Sequence, residues 1–342
     1  MGMNMDIDLQ TTYLGLTLRS PFIASASPLT GHLDRISELA DAGAGAIVLP
    51  SLFEEQIERE TAGIERVIEA EIDTDISGRT EGSGADELDD YNLGADSYMA
   101  LVRAAKARVS VPIIASLNGV NVGDWLRYTR LLEDAGADAV ELNLYSVAAD
   151  TSVSGADLEA EQLEMITVLT EDLTIPLAVK ISPYYSALGS FATSVAAAGA
   201  RGLVMFNRFY QPDLDPATLE MRSTINLSTS ADALMTLRWV GILSPQLPIS
   251  IAATSGVHSG VDAAKMLLAG ADTVMVASAL LRNGPHHLVT MHDELRSFMA
   301  EHSYTSLEQM RGLAHRVAVA DADAYQRANY IGVLATAWQH DL

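Results

Sequence analysis

Short apolar runs recur along the chain, and they are introduced in two ways. The first way is an Ala-Gly-Ala junction, found at Ala42-Gly43-Ala44, Ala135-Gly136-Ala137, Ala198-Gly199-Ala200 and Ala269-Gly270-Ala271. The runs that follow are Ala46-Ile47-Val48-Leu49, Ala139-Val140-Glu141-Leu142, Leu203-Val204-Met205-Phe206 and Thr273-Val274-Met275-Val276. They are short and rich in β-branched residues, as strands covered on both faces should be. Glycine suits the end of the preceding helix because it enters left-handed backbone at little steric cost. The second way is a leading proline: Pro21 before FIAS, Pro112 before IIASL, Pro176 before LAVKI and Pro248 before ISIAA. A strand tolerates proline at its first residue, where no ladder N–H is required.

Interleaving the two series predicts eight strands, alternately Pro-led and Gly-led, that begin near residues 22, 46, 112, 139, 176, 202, 249 and 273. Helical patterns fill the gaps: Leu33–Ala42, Trp125–Ala135, Glu159–Thr170, Phe191–Ala198, Ala231–Leu243 and Val261–Leu268. With right-handed crossovers, eight such β-α steps close into a barrel. An open doubly wound sheet is the alternative, but it would not be expected to keep this alternation through eight strands. The predicted fold class is therefore α/β, a (β/α)8 (TIM) barrel.

The whole chain, residues 1–342, reads as a single barrel domain, with the barrel over about 20–303 and a helical extension over 304–342, expected at the barrel base with a subunit contact as the alternative. One connection breaks the rhythm, because the stretch from Pro50 to a helix near Tyr98 far exceeds the ~2–6 residues usual for a βα loop. This long loop after the second strand is acidic, with Glu54, Glu55, Glu58, Glu60 and Asp86-Glu87-Leu88-Asp89-Asp90. It reads as solvated surface, or as a lid over the strand ends.

Charge narrows the partners. The 21 Lys+Arg against 45 Asp+Glu give a formal net of −24, which repels nucleic-acid phosphates and anionic membranes alike. The absence of cysteine excludes disulfides, thiolate metal sites and a cysteine nucleophile. The N-terminus shows no secretory signal, and no apolar run approaches the ~20 residues that span a bilayer, so the expectation is a cytoplasmic protein without membrane contact. His286-His287 and His292 lack a HExxH pattern or convergent carboxylates, so no metal is expected.

In a barrel of this kind the chemistry gathers at the C-terminal strand ends. Those ends carry Ser25-Ala26-Ser27, Asn118, Asn143 followed by Tyr145-Ser146, Lys180, Asn207-Arg208, Thr254-Ser255-Gly256-Val257 and Ser278-Ala279. The turns after strands seven and eight are the usual phosphate site, and the small residues Ser255, Gly256, Val257, Ser278 and Ala279 let backbone approach such a group closely. Lys180 lies in the apolar run LAVKI, where an unpaired ammonium is costly. Two partners suggest themselves: Glu141 in a structural ion pair, or a functional anion such as the N1/O2 edge of a reduced flavin. Asn118, Asn143 and Asn207 each donate and accept, which suits a ring edge bearing carbonyl and N–H groups. No GxSxG surrounds Ser146, and no histidine stands at a spacing that serves it.

These strand ends resemble the dihydroorotate dehydrogenases, FMN-containing barrels, over about residues 10–310. The resemblance rests on TTYLGLTLRSPFIASAS, ELNLYS, LAVKISPYYS and, most specifically, IAATSGVHSGVDAAKMLLAGADTVMVASALLRNGP. It implies that Ser255, Gly256 and Ser278 hold the FMN phosphate and that Lys180 contacts the flavin ring. It further implies that Asn118, Asn143 and Asn207 touch flavin or substrate, and that a substrate loop lies next to Asn92-Leu93-Gly94. Ser146 falls on the position of the base that removes the C5 proton of dihydroorotate while hydride leaves C6. Val147-Ala148 stand where the family carries Pro-Asn, and Pro50 stands where its cytosolic members carry a flavin-contacting lysine. A dihydroorotate-dehydrogenase-like oxidoreductase of pyrimidine biosynthesis is thus implied, acting on dihydroorotate or a related cyclic amide, with a homodimer as the family's expectation. Two other readings remain open: a flavin-free lyase or isomerase of a phosphorylated metabolite, and a non-catalytic flavin-binding partner subunit.

Overall fold

The computed structural model of the chain describes residues 7–53, 94–118, 122–145, 147–209, 211–222 and 226–318. Its first element is a small antiparallel hairpin, β1 (Thr11–Tyr13) and β2 (Leu16–Leu18). Eight parallel strands follow: β3 (Phe22–Ala24), β4 (Ala46–Phe53), β5 (Ile113–Asn118), β6 (Ala139–Asn143), β7 (Leu177–Ile181), β8 (Gly202–Met205), β11 (Ser250–Ala253) and β12 (Thr273–Val276). They pair in chain order, and β12 returns to β3, so the sheet closes into a barrel. The fold is a (β/α)8 barrel, and every predicted strand lies within a residue or so of its expected start.

The crossover helices are α1 (Leu33–Asp41), α2 (Ala95–Arg108), α3 (Val122–Asp134), α4 (Gly155–Asp172), α5 (Leu188–Ala197), α6 (Ala233–Leu243) and α7 (Gly260–Ala269). Beyond β12 come α8 (Ser278–Asn283), α9 (His287–Glu301) and α10 (Leu307–Met310). The four junction glycines, Gly43, Gly136, Gly199 and Gly270, all adopt positive φ between 96° and 112°, so each stops its helix as expected. Two of these junctions continue into an aspartate that secures the neighbouring strand. Asp138 accepts the Ile113 N–H and Asp272 accepts the Ile251 N–H, each at 2.7 Å.

Two cores result from the period-two alternation of the strands. Val140, Leu142, Val179 and Ile181 face outward to the helices, in the larger cluster. Ala139, Ala178, Val204, Ala252 and Met275 face inward, where Tyr13, Leu14 and Leu18 of the hairpin join them. The hairpin therefore fills the N-terminal end of the barrel. Leu14 N–H donates to Ser250 Oγ at 3.1 Å, and a Cβ on Gly202 would lie 2.4 Å from Leu14 Cδ2, so a side chain there would displace the leucine of the seal.

Three expectations change. The second strand does not end at Pro50: β4 runs on to Phe53 through a register shift between Val48 and Ser51, a bulge that accommodates the missing proline N–H. An unforeseen exposed hairpin, β9 (Asp213–Asp215) with β10 (Glu220–Arg222), follows β8. The C-terminal extension is, as far as residue 318, one turn of helix and then turns. Over these described residues it runs along the base, with Gly312, Ala314 and Arg316 N–H groups donating to Leu267, Leu268 and Gly241 carbonyls at the ends of α7 and α6. The acidic loop after the second strand lies outside the described residues from residue 54 to 93. Among the described residues no helix is long and apolar enough to cross a membrane.

Candidate active site

Ladder bonds extend past the strands and fix the mouth of the barrel. Ser25 N–H donates to Val276 O at 3.0 Å, Thr254 N–H to Met205 O at 2.6 Å, and Asn207 N–H to Ile181 O at 2.8 Å. These positions open onto a cavity of about 440 Å³. Of the residues singled out in the sequence, Ser25, Ala26, Ser27, Lys180, Asn207, Ser255, Gly256, Val257 and Ser278 line it together.

The remaining candidates stand differently. Asn118, Asn143 and Lys180 form one row across β5, β6 and β7, in register. Asn118 and Asn143 are buried beside the cavity wall, and Asn143 Oδ1 accepts from Asn207 Nδ2, which couples the two asparagines. Ala279 is buried in the core at the start of α8, so only its backbone can serve a ligand. Ser146 and Asn92 lie outside the described residues.

At the turn after β11, Ser255 and Gly256 have φ of 75° and 78°, and Ser255 Oγ donates to Phe206 O at 3.1 Å. A Cβ on Gly256 would lie 2.3 Å from Ala233 N and 2.8 Å from Ala233 Cα, so this turn is pressed against the start of α6. The segment leading into α6 also reaches the eighth strand, since Ser228 N–H donates to Ser278 Oγ at 3.1 Å. Ser228 Oγ shares a hydrogen bond of 3.0 Å with His258 Nε2. Burial, and after it the charge of Arg282, holds His258 below the usual imidazole range, which favours the neutral ring. Asn226 and Ser228 line the cavity, and sequence reasoning missed them because they lie in a long irregular connection.

Alternation along β6 and β7 sends Glu141 and Lys180 into the barrel. Lys180 Nζ lies 3.4 Å from Glu141 Oε1, while Glu141 Oε2 is buried without a partner among the described residues. Beneath them the Tyr13 hydroxyl is likewise unpartnered among the described residues. Burial first, then the charges of Glu141 and Asp272, pushes that phenol well above its ordinary range, so it stays protonated. Lys180 thus touches both the ion pair and the cavity. Around the mouth, the Phe209 ring sits 4.6 Å from Tyr145 and 5.4 Å from Tyr184, an aromatic rim that no motif announced. The charged residues among the cavity's described lining are Lys180 and Arg208, and no carboxylate is among them. Small residues at two adjacent turns, a buried lysine and a wall free of acids suit an amphipathic ring with an anionic tail.

The family model for dihydroorotate dehydrogenase matches residues 8–299. The chain belongs to the dihydroorotate dehydrogenase family. A putative dihydroorotate dehydrogenase A (fumarate) of Aeropyrum pernix is 31% identical over 66% of this chain and 74% of its own length. The catalytic subunit of a dihydroorotate dehydrogenase B (NAD(+)) of Methanothermobacter thermautotrophicus is 24% identical over 90% of this chain and 98% of its own length. The PreA subunit of an NAD-dependent dihydropyrimidine dehydrogenase of Escherichia coli K12 is 24% identical over 90% of this chain and 77% of its own length. The dihydroorotate dehydrogenase family thus surrounds this chain with dehydrogenases, and the chain is an oxidoreductase of that kind.

Proposed function

We propose that the protein is an FMN-dependent oxidoreductase that oxidises a CH–CH bond in dihydroorotate or a related cyclic amide. The observation that carries this reading is the single cavity shared by Ser25–Ser27, Lys180, Asn207, Ser255–Val257 and Ser278. In this reading the turns at Ser255-Gly256 and Ser278 present backbone to the FMN phosphate, and Gly256 is needed because a side chain has no room against Ala233. Lys180 faces the ring edge where negative charge grows on reduction. Bound FMN would supply the hydride acceptor.

The chain's own groups would do the rest. Asn143 and Asn207, already coupled through one amide contact, orient an amide-bearing substrate by donating and accepting along its edge. Ser146, in the segment after β6, takes the proton adjacent to the carbon that loses hydride. The rim of Tyr145, Phe209 and Tyr184 gives a flat substrate an apolar wall. Support for a dihydroorotate-type substrate comes from the names of the relatives, among which the PreA subunit belongs to a dihydropyrimidine dehydrogenase.

A visible absorption spectrum of the purified protein, with mass identification of the released group, tests the cofactor. Anaerobic bleaching of that spectrum by dihydroorotate or dihydrouracil then tests the substrate. A folded, colourless protein that takes up no added FMN overturns the cofactor, and a bound flavin that neither compound bleaches overturns the substrate.

A further inference from the structure

Arg208 follows Asn207 at the end of β8, and its side chain lines the cavity. Its Nη1 is buried and has no hydrogen-bond partner among the described residues, nor does any described carboxylate form an ion pair with it. That is unusual company for a guanidinium in a chain carrying 45 acids against 21 bases. The acid that feels its charge is Asp232, but that carboxylate is committed to the backbone N–H of Thr229 at 2.7 Å and to its hydroxyl at 3.1 Å. Lys180, the other cation of the lining, has Glu141. A buried guanidinium N–H left unmet is costly, and five donors in a rigid fork match a phosphate or carboxylate.

We propose that Arg208 is an anion-binding residue of this cavity, pairing with an oxyanion of the bound ligand. The neighbourhood points to the ligand's charged end. Arg208 and the Ser255-Gly256 turn line the same cavity, and Asp232 leads directly into Ala233, which presses on Gly256. The oxyanion belongs either to the cofactor's phosphate or to a carboxylate on the substrate. Both present the same chemistry to a guanidinium.

The inference rests on the flavin reading, and the test separates the two. Wild type, R208K and R208Q are stripped of any bound group and titrated with FMN and with riboflavin, which lacks the phosphate. The FMN-loaded proteins are then titrated with orotate. Loss of one charge-assisted contact should weaken the affected ligand about ten- to a hundredfold in R208Q and less in R208K. Weakened FMN with unchanged riboflavin identifies the phosphate, and weakened orotate with unchanged FMN and riboflavin identifies the substrate carboxylate. An R208Q protein that melts like wild type and matches it toward every probe overturns the proposal. Should wild type bind no flavin, the flavin reading fails alone. Protection by inorganic phosphate against thermal unfolding then decides: protection abolished in R208Q supports an anion site, and protection that is absent or insensitive to R208Q overturns it.

Discussion

Lys180 Nζ and Glu141 Oε1 face each other at 3.4 Å across β7 and β6, inside the barrel, with the glutamate fully enclosed. The glutamate has no water to fall back on and depends on the lysine, which also opens onto the cavity. Lys180→Met should cost about 3–5 kcal/mol, the penalty of stranding a buried charge, and Lys180→Met combined with Glu141→Leu should recover most of it. Urea denaturation of the two single variants and the double variant measures this. A single variant as stable as wild type would show that the pair is not mutually dependent.

Gly256 sits in the cavity wall with no room for a side chain. Gly256→Ala puts a methyl 2.3 Å from Ala233 N, on rigid backbone, and forces a side chain to hold a φ of 78°. We expect a loss of about 1–3 kcal/mol and a protein that no longer retains a phosphate-bearing ligand through dialysis. Retention of ligand at wild-type level would remove this turn from the binding site.

Asp272 receives the Ile251 N–H at 2.7 Å and also meets Arg311. Burial, the largest influence on it, lifts its carboxyl above the ordinary range, so the fold uses the acceptor oxygen more than the charge. Asp272→Asn, which keeps an acceptor, should stay within about 1 kcal/mol of wild type, whereas Asp272→Ala should lose about 1–3 kcal/mol by orphaning a strand N–H. Equal melting curves for the two variants would contradict this.

His292 is buried under the barrel base, with one ring nitrogen 2.7 Å from Ser20 Oγ and the other 2.6 Å from Leu288 O. Burial depresses its pKa below 6.5, and the nearby charges of Arg296 and Arg19 act in the same direction. An imidazole with a lowered folded pKa leaves the unfolded chain binding more protons, so its contribution is complete above pH 6.5 and declines as pH falls from there toward the folded pKa. The melting temperature of wild type should therefore drop between pH 7 and 5 more steeply than that of His292→Gln. Parallel curves would refute the assignment.

The repeat was legible because its signals are local. A proline opens a strand and an Ala-Gly-Ala stops a helix whatever lies elsewhere, so the barrel and its mouth could be read in order. The hairpin at Thr11–Leu18 was not legible: strands of three residues carry no period, and its purpose appears only when Leu14 meets Gly202 and Ser250. The same holds at the mouth. Lys180 betrayed itself by standing in an apolar run, but Ser228, His258 and the rim of Tyr145, Phe209 and Tyr184 are assembled from distant segments. Arg208 could be placed at a strand end from the sequence, but its buried, unpartnered Nη1 is visible only in the fold, where the nearby Asp232 is engaged by Thr229.

The hairpin's occupation of the base also dictates traffic. With Tyr13, Leu14 and Leu18 stoppering the base, the described interior is a cup that opens at the strand ends. In the reading proposed above, a group held at the strand ends would therefore be reached from the mouth and not through the base.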